Sequence, residues 1–222
     1  MKDSIRLKSI HNYWEKRLSL CQEALKENGF DARVVQNQEE AVKLILEELI
    51  PRYQPRVVSW GDSLTFLSLG ILEELKKREQ YQIVEIEGEG ISWEESMEAR
   101  RKALLSDLFF TGTNAVTEDG MLVNLDMIGN RVAGITFGPR HVVILVGSNK
   151  ITADLDAAMA RVKDYASPVN ASRFNLNTPC VKTSLCHDCS SADRICNVWT
   201  ITEKSYPKGR IMVILINQDL GF

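Results

Sequence analysis

Two apolar runs constrain the fold more than any other feature of this chain. His141-Val142-Val143-Ile144-Leu145-Val146 has no polar alternation, so it predicts a central strand buried on both faces, and Ile211-Met212-Val213-Ile214-Leu215-Ile216 predicts a second apolar strand near the end. Strands of that kind need helices to cover them. The sequence upstream supplies these in alternation. Trp14, Leu18, Cys21 and Leu25 share a helix face that ends at Asn28-Gly29. A strand at Phe30 to Val35 follows, then a helix bearing Val42, Ile45, Leu46 and Leu49 that is predicted to stop before Pro51. Arg56 to Trp60 reads as a strand, Gly61-Asp62-Ser63 as a tight turn, and Leu64, Leu67, Ile71, Leu72 and Leu75 as the next helix. Tyr81 to Glu87 (strand), Trp93 to Ser106 (helix) and Asp107 to Thr111 (strand) continue the series. The expected class is α/β, with βαβ units around a mostly parallel sheet.

Beyond Thr111 the pattern changes. Glu118-Asp119-Gly120 sits between two short β-like runs in Ala115 to Leu125, which predicts an antiparallel hairpin. Gly129-Asn130 and Gly138-Pro139 bracket an expected strand from Arg131 to Phe137, and Ala153 to Ala166 reads as helix. After Pro168 the chain turns polar and rich in cysteine. Without repeats or a flexible linker, the 222 residues read as a single domain, with an N-terminal helix (1–28) and a cysteine-rich loop (177–197).

Composition excludes several classes of function. Lys and Arg total 27 against 30 Asp and Glu, a net charge of −3, so the broad positive field of a nucleic-acid binder is missing. No apolar run approaches the roughly 20 residues that span a bilayer. The first residues, Met1 to Lys8, mix both charges and lack the apolar core of a secretory signal, so the cytoplasm is the expected compartment.

Cys180, Cys186, Cys189 and Cys196 fall within 17 positions, spaced C-x5-C-x2-C-x6-C. Thiolates repel one another and are costly to desolvate, and a shared cation removes both penalties, so the cluster points to a metal site. Disulfides are disfavoured in a reducing compartment, and the polar neighbours Lys182, Thr183, Ser184, His187, Asp188, Ser190 and Asp193 leave little core for four apolar fillers. The spacing does not separate zinc from an iron–sulfur cluster. His187, inside the C-x2-C step, is expected to point away, and Cys21 on the first helix reads as a core residue.

Anion chemistry is expected at the strand ends. Gly61, Asp62, Ser63 and Thr65 stand where a strand passes into a helix, offering free backbone N–H groups and the positive end of a helix dipole, although Asp62 or Ser63 could simply cap. Thr111, Gly112, Thr113 and Asn114 follow a second apolar strand at what would be the same carboxyl edge, where open α/β sheets place their ligands. Arg131, Arg140, Asn149 and Lys150 add cations and an amide near expected strand ends. Glu118 and Asp119 are the candidate catalytic carboxylates, as base or nucleophile, against a purely structural role in a hairpin turn.

Four ordered motifs, Thr111-Gly112-Thr113-Asn114-Ala115-Val116-Thr117-Glu118-Asp119-Gly120, Gly129-Asn130-Arg131-Val132-Ala133-Gly134, Phe137-Gly138-Pro139 and Val146-Gly147-Ser148-Asn149-Lys150-Ile151, with Trp60-Gly61-Asp62-Ser63, resemble the lactate-utilisation (LUD) domain family from about Arg56 onward. The resemblance implies a three-layer α/β/α sandwich like that of ribose-5-phosphate isomerase and CoA transferases, with its ligand site at the strand carboxyl ends. It also implies a part in lactate oxidation beside other subunits of that system, with a small anionic metabolite as ligand. The helical iron–sulfur modules of the family have no counterpart in these 222 residues, so electron transfer through paired clusters is not implied. Two alternatives stand beside this expectation: a sugar-phosphate or CoA-thioester enzyme using Glu118 or Asp119, and a zinc-stabilised scaffold without catalysis.

Overall fold

The computed structural model describes residues 2–222, so Met1 of the expected N-terminal helix lies outside the described residues. Helix α1 (Lys2–Glu27) buries Leu18, Cys21 and Leu25 and is followed by β1 (Asp31–Val35). Helix α2 (Gln38–Lys43) begins at Asn37, whose side chain accepts from the Glu40 N–H. It does not stop before Pro51. The helix widens into a π turn, Leu44–Leu49, in which the Ile50 N–H reaches back five residues to the Ile45 carbonyl, and α3 (Ile50–Tyr53) then starts with Pro51 in its first turn. A proline has no N–H to donate and its ring strikes the carbonyl four residues back, so a turn that re-registers the ladder lets the chain pass it.

Strand β2 (Val57–Gly61) leads to α4 (Leu64–Ser68) and α5 (Ile71–Lys76), which break at Gly70. The strand expected over Tyr81 to Glu87 narrows to β3 (Gln82–Ile83), because it lies at the sheet edge and pairs with β2 alone. A capping box of Ser92 and Glu95 opens α6 (Trp93–Ala103), and β4 (Leu108–Gly112) is buried throughout. Strands β5 (Ala115–Thr117) and β6 (Leu122–Asp126) form the expected hairpin.

The segment expected as a strand from Arg131 to Phe137 is instead α7 (Asn130–Thr136). Its buried residues Arg131, Val132, Gly134 and Ile135 follow a helical stripe rather than an alternation. A Cβ at Gly134 would stand 2.8 Å from the Phe109 ring, so the helix can rest on the sheet only through a glycine there. Strand β7 (His141–Gly147), a 3-10 turn at Ser148–Lys150, β8 (Ile151–Thr152) and α8 (Leu155–Arg161) follow. A second π turn, Val162–Ala166, carries the helix on through Pro168 into α9 (Ser167–Arg173), past the expected end at Ala166. Helix α10 (Pro179–Thr183) lies within the cysteine-rich segment, and β9 (Val198–Thr202), which the sequence pattern did not reveal, precedes β10 (Ile211–Ile216).

Six strands make an all-parallel sheet in the order β1-β10-β7-β4-β2-β3, flanked by helices as a three-layer α/β/α sandwich. The two apolar runs become its centre, β7 lying between β10 and β4, and β10 and most of β7 are fully buried. A second sheet, β8-β5-β6-β9, grows from the carboxyl ends of β4 and β7 and has a small core of its own around Ala115, Val123, Leu125, Ala158 and Val162. Because parallel strands finish on one edge, the ends of β2, β4 and β7 face this second sheet and leave a space beside it. Among the described residues no helix is long and apolar enough to cross a membrane.

Candidate functional site

That space is a cavity of about 480 Å³. Its walls come from the β2–α4 junction (Asp62, Ser63, Thr65), the end of β4 (Gly112, Thr113, Asn114), α6 (Trp93, Arg100), the β6–α7 junction (Asp126, Asn130, Arg131), Lys150, α9 (Ser167, Asn170, Arg173) and the segment Gly221–Phe222. The volume lies in the usual range for small-molecule sites.

Local geometry explains how the walls are held. Asp62 has φ 25°, a region costly for a residue with a Cβ, and its carboxylate is fixed there by the Arg100 guanidinium and the Asn130 amide, both at 2.8 Å. Ser63 caps α4, its hydroxyl accepting from the Phe66 N–H at 3.2 Å. Close approach at the strand ends requires glycine: a Cβ on Gly61 would stand 2.7 Å from the Phe109 ring, and one on Gly112 would stand 2.7 Å from the Ser63 hydroxyl. Arg131 is buried and fully engaged. Its guanidinium donates to Asp126 (Nε to Oδ1, 2.9 Å), to the Gly112 carbonyl (3.1 Å) and to the Asn114 side chain (2.8 Å), while Asp126 also accepts the Val132 N–H at 3.1 Å. This network ties β4, β6 and α7 together. Thr113 is likewise spent on the Ala115 carbonyl (3.1 Å) and the Asn124 side chain (3.0 Å).

Lys150 differs from the other cations. It is 5% exposed, its ammonium nitrogen donates to the Thr65 hydroxyl at 3.1 Å, and among the described residues no carboxylate lies within 4.0 Å of it. Burial, reinforced by the charges of Arg161 and Arg131, pushes its pKa down to about 7. Arg161 donates to the Asn149 carbonyl (3.0 Å) and the Asn114 carbonyl (2.7 Å), which joins the loops after β7 and β4. Arg173 stacks over the Phe174 ring at 4.2 Å and has no carboxylate partner among the described residues.

Of the residues singled out from sequence, Asp62, Ser63, Thr65, Gly112, Thr113, Asn114, Arg131 and Lys150 line the cavity. Gly61 and Thr111 lie just beneath it, the Thr111 hydroxyl donating to the Gly61 carbonyl at 2.9 Å. Asn149 turns to the C-terminal segment, accepting the Leu220 N–H at 3.1 Å. Arg140 precedes β7 and so stands at the opposite edge of the sheet, exposed, with Asp107 3.2 Å away. Glu118 and Asp119 stay with the hairpin tip, away from the cavity walls: Glu118 pairs with Arg17 of α1, and Asp119 bonds the Thr117 hydroxyl. Asp126, Arg100, Asn130, Asn170 and Arg173 were missed. Asn130 stands beside Arg131 in a quoted motif, but the partners of Arg100 and Arg131 are set by tertiary contact that no local spacing reveals.

The four clustered cysteines are free thiols and line one further cavity of about 20 Å³, together with His187, Asp188, Lys163 and Arg194. Ser167 and Ile195 belong to the walls of both cavities, so the two sites adjoin. Arg194 stitches the loop, donating to the Cys196 carbonyl at 2.9 Å, to the Cys189 carbonyl and to Asp188. His187 turns to the Thr183 hydroxyl at 2.9 Å. Burial pushes the Cys196 thiol up. The cysteines have the donor chemistry of a thiolate site and share one cavity. Their arrangement is open, however, and among the described residues no three His, Cys, Asp or Glu groups are gathered as a ligand set. Cys21 is fully buried in the main core, where desolvation pushes its thiol up to about 12.

Comparison with known proteins gives two findings. The model of the LUD domain family matches residues 18–216. Among solved structures, the crystal structure of a DUF162 family protein from Deinococcus radiodurans is similar at 11% identity, with a TM-score of 0.49, covering 91% of this chain and 97% of that one. No curated protein matches the chain.

Proposed function

The chain belongs to the LUD domain family, which is associated with lactate utilisation, and on that premise we propose that it receives a small anionic metabolite in the cavity at the carboxyl edge of the six-stranded sheet. One observation carries this reading: Lys150, buried at the cavity wall without a carboxylate, in a site whose other buried cation, Arg131, is already neutralised by Asp126. An isolated buried ammonium is expensive, and an anionic ligand restores the balance that the protein leaves open. Arg173 and the Asn170 amide, on the facing helix, supply further donors for a carboxylate or phosphate.

A larger ligand is the second reading, favoured by the volume. Lactate would fill only part of about 480 Å³, whereas a sugar phosphate or the end of a CoA thioester would fill more of it. Melting curves with lactate, pyruvate, inorganic phosphate, ribose 5-phosphate and CoA distinguish the two. The proposal expects stabilisation of about 2.7 kcal/mol at one hundred times Kd for at least one of these anions. Unchanged melting with all five would remove it.

The same proposal gives the four cysteines a metal. Zinc would fasten the loop, and an iron–sulfur cluster would supply one-electron transfer beside the cavity. A reducing compartment such as the cytoplasm keeps the thiols available for either, and other lactate-oxidation subunits would then be the partners. Metal content and visible absorbance after anaerobic purification separate zinc from a cluster, and metal-free protein of unchanged stability would exclude both.

A further inference from the structure

We propose that Lys150 is a covalent site: its amine forms a reversible imine with a carbonyl group of the bound anion, so that the cavity takes a small 2-oxo acid or an aldehyde-bearing anion. This rests on the reading of the cavity as an anion site and narrows the ligand class.

The placement of the amine carries the inference. Lys150 is buried in the cavity wall, and among the described residues one hydroxyl, that of Thr65, is the hydrogen-bond partner for three potential donors. A structural lysine buried this deeply is normally satisfied by carboxylate or several carbonyls, and among the described residues this one has neither. Two guanidinium groups in the neighbourhood, those of Arg161 and Arg131, favour the uncharged amine, the arrangement that activates amines for addition to carbonyls. The hydroxyls of Ser63, Thr65 and Thr113 are already engaged. Ser63 caps α4, Thr113 is held by the hairpin, and Thr65 aims its proton at the Leu220 carbonyl (3.5 Å) while accepting from Lys150, so that Lys150 does not activate it as a base. Asp62 and Asp126 are both bound by arginine.

The step needs no oxidant or reductant. The nitrogen lone pair adds to the carbonyl carbon, a C–N bond forms as the C=O π pair moves to oxygen, and a nitrogen proton passes to that oxygen through water. Loss of water from the carbinolamine leaves the imine, and hydrolysis reverses the sequence. Arg173 and Asn170 are placed to hold the carboxylate of the adduct.

Reductive trapping tests this on the full chain. Incubation with pyruvate and borohydride at pH 7.5, followed by peptide mapping by mass spectrometry, is expected to label Lys150 about 600-fold over exposed lysines, the ratio set by the free-amine fractions of groups titrating near 7 and near 10.4. Lactate, which has no carbonyl, is expected to give no adduct, and Lys150→Arg, which keeps the charge, is expected to lose it. Labelling of Lys150 no greater than that of surface lysines overturns the proposal whether or not the variant folds. Calorimetry on the same samples then separates the readings: pyruvate that binds without an adduct leaves the anion site standing and removes only the imine, whereas absence of binding by pyruvate and every other anion tested removes both.

Discussion

The cavity at the sheet edge and the cysteine loop beside it share Ser167 and Ile195 in their walls, yet they hold charge in opposite ways. In the cavity two acids are matched to arginines, Asp62 to Arg100 and Asp126 to Arg131, and one buried ammonium is left over. In the loop the charged side chains pair near solvent, Lys163 and Arg194 meeting an Asp188 that is 75% exposed, and four half-buried thiols are left over. Thiols become ligands by losing protons, so under the proposed function the loop would take a cation where the cavity would take an anion. The first site has its walls tied by ion pairs before anything binds. The second has no ligand set gathered among the described residues.

Breaking the ion-paired side should have the largest effect. Asp126→Ala strands the buried Arg131 guanidinium and is expected to cost about 3–5 kcal/mol in urea denaturation. A loss under 1 kcal/mol would mean that the network does not hold the cavity together. Next comes the cysteine side. Zinc at one hundred times Kd should stabilise the chain by about 2.7 kcal/mol, and Cys189→Ser should abolish that gain while barely altering the metal-free protein. Equal melting with and without zinc or reconstituted cluster would leave the loop as four bystander thiols.

Gly134→Val sharpens the comparison from below the cavity. The added Cβ meets the Phe109 ring, so a loss of about 1–3 kcal/mol is expected if α7 rests on the sheet as described. The smallest effect is expected at the hairpin tip. Glu118→Gln removes a partly exposed ion pair with Arg17 and should cost less than about 1 kcal/mol, with ligand binding unchanged. Loss of binding in that variant would return the hairpin carboxylates to the site.

Much of this architecture was legible where a residue's neighbours in sequence are also its neighbours in space. The uninterrupted runs at His141–Val146 and Ile211–Ile216 announce central strands, and Gly61-Asp62-Ser63 announces a strand passing into a capped helix. Arg131–Phe137 misleads because apolar residues at 132, 135 and 137 allow either period, and only the packing of Gly134 on Phe109 selects the helix. Pro51 and Pro168 mislead because a proline normally ends a helix, and a π turn ahead of each is invisible to a period of 3.6. Strand β9 escaped because it is only partly buried, with Val198 and Ile201 exposed, and its pairing partner β6 lies some seventy residues earlier. In the cavity, motif residues located the strand ends, whereas the roles of Arg131 (structural) and Lys150 (unpaired) depend on partners such as Asp126 that lie across elements.

The unpaired state of Lys150 also has a signature in the ligand-free protein. Its folded pKa, about 7, lies below the unfolded value near 10.4, so the unfolded chain binds more protons between those limits. Stability of the wild type relative to Lys150→Met should therefore rise as pH climbs from about 7 towards 10, by up to about 1.4 kcal/mol per pH unit, and stay level below 7. A flat difference would mean that the ammonium has a partner after all.

Calorimetric titration of an anion that stabilises the wild type and cannot form an imine, lactate first, into the wild type and Lys150→Met at pH 6 and pH 9 tests the central claim most directly. Binding at pH 6 that weakens at pH 9, as the amine loses its charge, and that is absent from Lys150→Met at both, is the predicted result. Heats that are the same for both proteins, or the same at both pH values, would contradict it.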